Sequence, residues 1–197
     1  KKGYKALFND ALPGQVAELL IQKEDRFFRL HPGINPLSIA RALVRRALYG
    51  EKTGGSTITQ QLVKNLRGNE TRRDLANKLK ETWGAFSLEL FLTKNQILSM
   101  YSNSVYLGTS IQGFALASQT YFGKNPDSLN QIERLSLIAA LGSPSTSYPG
   151  TEQNIKRAKQ ISKLIALPSP KVKDIGKISP KLRTITTPHF EIENLIT

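Results

Sequence analysis

Apolar residues recur at intervals of three and four along most of this chain, and the two-residue alternation of a half-buried strand is scarce. Near the start, for example, Val16, Leu19 and Leu20 would share one side of a helix. The spacing therefore predicts a mainly α-helical fold. The predicted helices cover residues 15–23, 36–49, 94–103, 111–121, 129–141 and 152–167, and two more begin at Thr57 and near Thr71.

Two of these segments carry a continuous apolar stripe. In the segment that begins near Thr71, the stripe predicts a face buried in the core. Its members are Leu75, Leu79, Trp83, Phe86 and Leu90. In the segment 37–48, the stripe consists of Leu37, Ala40, Leu43, Val44, Ala47 and Leu48, with Arg41, Arg45 and Arg46 beside it. Two interpretations of this second stripe stay open, a helix packed on the core or a helix partly inserted into a lipid surface.

The chain is strongly basic, with 28 Lys and Arg against 15 Asp and Glu and a net charge of +13. Such a surface favours nucleic acid, anionic lipid headgroups or a phosphorylated substrate. The absence of cysteine excludes a disulfide framework, a thiolate metal site and a cysteine nucleophile. His31 and His189 are too far apart in sequence to indicate a histidine-rich metal site.

The length of 197 residues fits one domain with a short tail. From Pro168 onward, prolines lie among lysines and branched aliphatic residues. We therefore assign residues 1–167 to one domain and residues 168–197 to a linker or docking tail. No apolar run reaches the roughly 20 residues that span a bilayer, and the sequence does not begin with Met. We expect a longer parent protein, whose membrane anchor this chain lacks.

The first candidate for chemistry is the acidic pair Glu24–Asp25, which is followed by Phe27 and Phe28 at the end of a predicted helix. Aromatic rings beside a carboxylate disfavour its ionised form, which suits a general acid or base. The alternative is a structural acidic pair that forms ion pairs with Arg26 or Arg29.

The second candidate is the segment 54–65. Its first half combines two glycines, two hydroxyls and a helix N-terminus, which is a natural cradle for an anion. Its second half adds polar side chains along the helix, so we expect a polar groove. The residues concerned are Ser56, Thr57, Gln60, Gln61, Lys64 and Asn65. The spacing of a nucleotide-binding P-loop is absent, and no strand precedes the glycines.

The third candidate is a basic cluster made of Arg72, Arg73, Lys78 and Lys80, with Glu81 among them. Lys78 and Glu81 are three residues apart and share a helical face, opposite Leu75, Leu79 and Trp83. Taken alone, this pattern favours a solvated face with an ordinary ion pair, worth a few tenths of a kcal/mol.

Taken together, the segments resemble the ordered signature motifs of family 51 glycosyltransferases. These are the glycosyltransferase domains of class A penicillin-binding proteins and the stand-alone peptidoglycan transglycosylases. The resemblance covers roughly residues 10–167. The first two motifs are Glu24-Asp25-x-x-Phe28-x-x-His31-x-Gly33 and Gly54-x-Ser56-Thr57-Ile58-Thr59-Gln60-Gln61-Leu62-x-Lys64-Asn65. The later ones are Asn77-Lys78-x-x-Glu81, Lys94-x-x-Ile97-Leu98-x-x-Tyr101-x-Asn103, and Gly113 to Ala117 with Tyr121-Phe122-Gly123-Lys124.

The resemblance implies a mainly α, lysozyme-like glycosyltransferase fold with a long substrate cleft. It implies that Glu24 is the general base in an inverting reaction that polymerises lipid II into β-1,4-linked glycan and releases undecaprenyl diphosphate. The resemblance also makes Glu81 the second expected catalytic residue, which would orient the cations or hold Mg²⁺ or Mn²⁺ bridged to the diphosphate. The expected substrate-binding residues are Asp25, Ser56, Thr57, Gln60, Gln61, Lys64, Asn65, Arg72, Arg73, Lys78 and Lys80.

The resemblance also implies partners and a location. The expected partners are lipid II, the lipid-linked glycan chain, an anionic membrane surface and proteins of the division or elongation machinery, without nucleic acid. The expected location is the extracytoplasmic face of a bacterial inner membrane. The segment Thr187-Pro188-His189-Phe190 resembles the start of a transpeptidase domain, so we expect one to follow in the parent protein.

Three positions depart from the family pattern: Asn77 stands where an Arg is usual, and Ser99 and Ser102 replace the common Glu and Leu. The tripeptide Lys52-Thr53-Gly54 matches a transpeptidase motif, but no serine here has a Lys three residues later. Two other functions stay open. A lytic glycosidase would use Glu24 as a general acid but has no use for the cations. A nucleic-acid binder would explain the charge alone.

Overall fold

The computed structural model describes residues 12–50, 54–68, 75–108 and 110–165. These ranges are mainly α-helical, which confirms the predicted fold class. Their α-helices are α1 Gly14–Glu24, α2 Pro36–Tyr49, α3 Ile58–Leu66, α4 Leu75–Phe91, α5 Lys94–Ser104, α6 Phe114–Phe122, α7 Gln131–Ala140 and α8 Glu152–Leu164. Two short strands, β1 Tyr106–Gly108 and β2 Ile111–Gln112, and a 3₁₀ turn at Pro126–Ser128 complete the described part. The predicted tail 168–197 lies outside it.

Side chains fix the starts of several helices. At the start of α3, the Thr57 hydroxyl accepts a hydrogen bond from the Gln60 backbone, and the Gln60 side chain accepts one from the Thr57 backbone. This reciprocal capping box confirms the cap predicted at Thr57. The same device begins α5 at Thr93 and α7 at Asn130. It satisfies backbone N–H groups that have no partner within the helix.

The core is centred on α7, which is buried along nearly its whole length and packs against α8, α1 and α6. Helices α1, α3 and α5 close the core on the side where the sequence places its polar motifs. Fully buried side chains of this core are Leu20, Phe28, Ile58, Leu62, Ile97, Tyr101, Phe114, Leu135, Leu137 and Ile138. The polar motifs are therefore carried on elements anchored in the core.

The helix predicted to begin at Ile111 begins later, at Phe114. Ile111 and Gln112 form β2 instead, which pairs antiparallel with β1. The reason is Gly113, whose φ of +87° ends the strand and is not helical. A Cβ at this position would lie 3.0 Å from the Asn103 carbonyl oxygen, so glycine suits both the backbone angle and the space.

The predicted burial of the α4 stripe is wrong. Four of its members are exposed by 63–75%, and the fifth, Phe86, by 37%; the four are Leu75, Leu79, Trp83 and Leu90. The helix packs on α3 through small residues on its other side, where Ala85 is fully buried and a Cβ at Gly84 would lie 2.9 Å from Val63. Close approach there turns the apolar stripe outward.

The stripe of α2 is also exposed, since Leu37, Val44 and Leu48 each retain more than half of their accessible surface. These residues do not pack in the core, so the core interpretation of this stripe is wrong for them. Arg41 and Arg45 are exposed on the same helix. None of the described helices has the length and apolar character needed to cross a bilayer.

Candidate active site

The carboxylate of Glu24 lies at the end of α1, where it meets side chains from two helices. The Nζ of Lys23 donates to Glu24 Oε1 at 3.0 Å, and the Nε2 of Gln61 donates to Glu24 Oε2 at 3.1 Å. The side chain of Glu24 keeps 16% exposure, so it is largely buried and yet reachable. Because both oxygens accept a hydrogen bond, the orientation of the carboxylate is defined.

A cavity of about 500 Å³ opens beside Glu24. Its wall includes the cationic residues Lys23, Arg26 and Arg41, together with the end of α8 at Leu164 and Ile165. A carboxylate and three cations around one cavity can receive a substrate that carries both hydroxyl and phosphate groups. The full length of the predicted cleft stays a prediction.

Asp25, the neighbour of Glu24, points into the protein. Its carboxylate accepts hydrogen bonds from Nε2 of His31 at 2.9 Å and from the backbone N–H of Ile58 at 3.0 Å. Its side chain is only 3% exposed. Asp25 therefore ties the end of α1 to the start of α3, and a carboxylate at a helix N-terminus is favoured by the helix dipole.

Thr57 and Gln60 join the same internal network. The Thr57 hydroxyl donates to the Gly33 carbonyl at 2.6 Å, and Nε2 of Gln60 donates to Thr82 Oγ1 at 3.1 Å. Both residues are almost fully buried. The hydrogen bonds of Asp25, Thr57 and Gln60 fix the positions of α1, α3 and α4 relative to one another. On α3, it is Gln61 that reaches Glu24.

A second polar centre forms between the start of α3 and the first half of α4. The Nζ of Lys78 donates to Ser56 Oγ at 2.8 Å and to Glu81 Oε2 at 3.0 Å. Lys78 is 41% exposed, and Glu81 is 13% exposed. The ion pair expected from the spacing is present, and it is joined by a hydroxyl from the glycine-rich segment. The Lys78 side chain is partly exposed, so it can meet an anion from solvent.

The other predicted binding residues are placed as follows. Asn65 lies within reach of Ser104 on α5, with an Nδ2–Oγ distance of 3.4 Å. Lys64 and Lys80 are exposed. Arg72 and Arg73 lie outside the described residues.

The sequence identified Tyr101 only as part of the fourth motif. In the structure, Tyr101 lies beside Gln61 and Glu24. Its hydroxyl donates to Oε1 of Gln61 at 3.0 Å, and its side chain is 1% exposed. Burial raises the pKa of Tyr101 well above its usual value, and the negative charge of Glu24 raises it further. Its position in the fourth motif, seven residues after Lys94, was the available signal.

A divalent cation would have few protein ligands here. Among residues in the described ranges, no three acidic or imidazole side chains come together as a metal site. Glu81 supplies one carboxylate, and its Oε2 already accepts from Lys78. One carboxylate suffices for Mg²⁺ when the substrate provides phosphate oxygens and water fills the remaining positions. Glu81 would therefore hold such an ion only together with phosphate oxygens of a ligand.

The fold and the site define a helical domain. It carries a carboxylate that accepts two hydrogen bonds, at Glu24, and a separate centre around the ammonium group of Lys78. A family model described as Transglycosylase matches residues 4–167. The chain belongs to this family, the family 51 glycosyltransferases, as the motifs indicate.

Similar proteins are named as penicillin-binding proteins. Penicillin-binding protein 1B of Buchnera aphidicola is 38% identical over 148 residues, which cover 73% of this chain and 19% of the relative. Penicillin-binding protein 1C of Escherichia coli is 36% identical over 147 residues, covering 74% and 19%. Penicillin-binding protein 1F of Bacillus subtilis is 41% identical over 139 residues, covering 70% and 19%. The matched part of the chain thus spans about a fifth of these relatives.

Proposed function

We propose that this domain is a peptidoglycan glycosyltransferase that polymerises lipid II into β-1,4-linked glycan. The observation that carries the proposal is Glu24, a defined carboxylate on the wall of a cavity that also presents Arg26 and Arg41. Family membership and the relatives named as penicillin-binding proteins support it.

In the proposed reaction, Glu24 takes the proton from the 4-hydroxyl of the acceptor sugar. The hydroxyl oxygen forms a bond to the anomeric carbon of the donor while the bond from that carbon to the diphosphate oxygen breaks. A single displacement converts the α-linked diphosphate into a β-1,4 glycosidic bond. General-base catalysis by one group contributes roughly 10²–10⁴-fold.

Undecaprenyl diphosphate leaves with both bonding electrons, so negative charge grows on its bridging oxygen. We expect Lys78, which donates hydrogen bonds to Ser56 and Glu81, to stabilise this charge. Lys64 and Lys80 add exposed positive charge on the same two helices. A Mg²⁺ or Mn²⁺ ion at Glu81 would neutralise part of the diphosphate when bound.

We further propose that the domain works at the extracytoplasmic face of a bacterial inner membrane. The exposed stripe of α2, flanked by Arg41 and Arg45, combines apolar and basic surface as interfacial helices do. A lipid-linked substrate would reach the cavity from that surface, because Arg41 also lines the cavity. Division or elongation proteins are the partners expected for such a domain.

The decisive assay is incubation of the domain with labelled lipid II. The proposal requires a glycan polymer and release of undecaprenyl diphosphate. A lytic glycosidase would instead shorten preformed glycan strands and leave lipid II unchanged. A nucleic-acid binder would do neither and would give a salt-dependent gel shift.

A further inference from the structure

Two successive hydrogen bonds link side chains of three helices and end on Glu24. Tyr101 of α5 donates to Oε1 of Gln61 of α3, with an oxygen–oxygen distance of 3.0 Å. Gln61 in turn donates from Nε2 to Oε2 of Glu24 at 3.1 Å. The three residues are separated by 37 and 40 positions in sequence, so this contact exists only in the folded protein.

We propose that Tyr101 is a positioning residue that acts on the reaction through Gln61, by fixing which end of the Gln61 amide faces Glu24. This inference rests on the proposed role of Glu24 as the general base. Gln61 then serves to orient the base, which differs from the substrate-binding role expected from the sequence.

The hydrogen-bonding capacity of each group determines the orientation of the Gln61 amide. An ionised carboxylate only accepts, so the amide must present its NH₂ group to Glu24. The carbonyl of Gln61 then points the other way and needs a donor. Tyr101 is that donor, and its hydroxyl is buried where a lost partner is costly. Glu24 and Tyr101 therefore favour the same orientation of the Gln61 amide.

Two further features keep the arrangement in place. The hydroxyl of Tyr101 is protonated and able to donate at neutral pH, and burial together with the charge of Glu24 raises its pKa further above the usual value. Lys23 donates to the other oxygen of Glu24 from its own helix. The carboxylate thus accepts a hydrogen bond on each oxygen and still lines the cavity.

Tyr101→Phe removes the hydroxyl and keeps the ring, so the Gln61 carbonyl loses its donor and Glu24 alone holds the amide in this orientation. We expect kcat for lipid II polymerisation to fall about 3- to 10-fold, the equivalent of one hydrogen bond. We expect KM to be unchanged, because Tyr101 is not exposed to substrate. Tyr121→Phe is the matched control, since the Tyr121 hydroxyl also donates one buried hydrogen bond, to the Leu107 carbonyl, away from the site.

A double-mutant cycle separates positioning from a general packing effect. If Tyr101 acts through Gln61, the variant Gln61→Ala/Tyr101→Phe should be no slower than Gln61→Ala alone. Additive losses in the double variant would overturn the proposal. So would a Tyr101→Phe variant that keeps full kcat, or one whose loss equals that of Tyr121→Phe.

A substrate-free measurement tests the same point independently of the proposed function. The side-chain NH₂ resonances of Gln61, assigned by their loss in Gln61→Ala, should move when Glu24 is changed to Gln. In the Tyr101→Phe background this response should be lost or clearly reduced. An undiminished response would contradict the positioning role of Tyr101 even in a protein that polymerises nothing. An inactive wild-type domain that shows the expected response would contradict only the glycosyltransferase function.

Discussion

The guanidinium of Arg67 donates a hydrogen bond to the side chain of Asn77, with an Nη2–Oδ1 distance of 3.1 Å. Arg67 follows the last residue of α3, and Asn77 lies in the first turn of α4, next to Lys78. The residue at which the family usually has an Arg is thus in contact with an Arg from the preceding helix. Positive charge is present at this position in spite of the substitution.

The Arg67–Asn77 contact affects the expected polymerisation rate of Asn77→Arg, which restores the usual family residue. Asn77→Arg would place a second guanidinium beside Arg67, and like charges at short range repel. We expect polymerisation by Asn77→Arg to stay close to the wild-type rate. In the Arg67→Ala background the same change should raise the rate relative to Arg67→Ala alone. An equal gain in both backgrounds would show that Arg67 has no influence at this position.

Lys78→Ala tests the diphosphate centre. A charge-assisted contact to phosphate is worth about 1.5–3 kcal/mol, or roughly 10–150-fold in rate if it forms in the transition state. We expect a loss of that size with a small change in melting temperature, because a half-exposed ion pair adds little stability.

Lys124→Ala is a close control for this variant. The Lys124–Glu133 pair has side-chain exposures of 41% and 12%, against 41% and 13% for Lys78–Glu81. Both variants should lose similar stability, and Lys124→Ala should keep its activity. If Lys78→Ala were destabilised but fully active per folded molecule, Lys78 would have only a structural role.

The exposed stripe of α2 should bind anionic membranes. Val44→Asp/Leu48→Asp removes apolar surface and adds two negative charges, so co-sedimentation with anionic vesicles should decrease. Gln153→Asp/Gln160→Asp adds the same charge to exposed positions of α8. Membrane binding through α2 requires a larger loss in the first variant. Equal losses would assign the binding to net charge, and unchanged binding in a folded α2 variant would exclude this helix.

Tyr121 should make the fold sensitive to alkali. Burial raises the pKa of Tyr121 to about 12, with a smaller contribution from Tyr148. An unfolded tyrosine titrates at about 10, so between about pH 10 and 12 the unfolded chain releases a proton that the folded protein keeps. The free energy of unfolding therefore falls as pH rises through this window. Urea denaturation should show a shallower fall for Tyr121→Phe, and parallel curves for the two proteins would contradict this.

The sequence predicted the helices well, because capping residues and apolar spacing act locally. The cap at Thr57 and the bounds of α2 are examples. The inverted packing of α4 was missed for a physical reason. Periodicity shows which residues share a face but does not show which face meets the core. Gly84 was the better guide, since the lack of a side chain there allows the close approach of Val63 on α3.

The site was predicted as a set of residues and not as an arrangement. The motifs predicted both Glu24 and Gln61 as site residues. Their hydrogen bond depends on how α1 and α3 are placed in the tertiary fold. The inward turn of Asp25 could not be read from its position beside Glu24. Its partners, His31 and the N-terminus of α3, come together only through the tertiary fold.

Glu24 is proposed as the base for glycan polymerisation, and the rate of Glu24→Gln with labelled lipid II is the most direct measurement of that role. Gln preserves the shape and cannot accept the proton, so turnover should fall by roughly 10²–10⁴-fold or more. Glu18→Gln is the control, because Glu18 lies on the same helix and is exposed beside Arg29. We expect a folded, nearly inactive Glu24→Gln beside a fully active Glu18→Gln. Near-normal polymerisation by Glu24→Gln would contradict this role of Glu24.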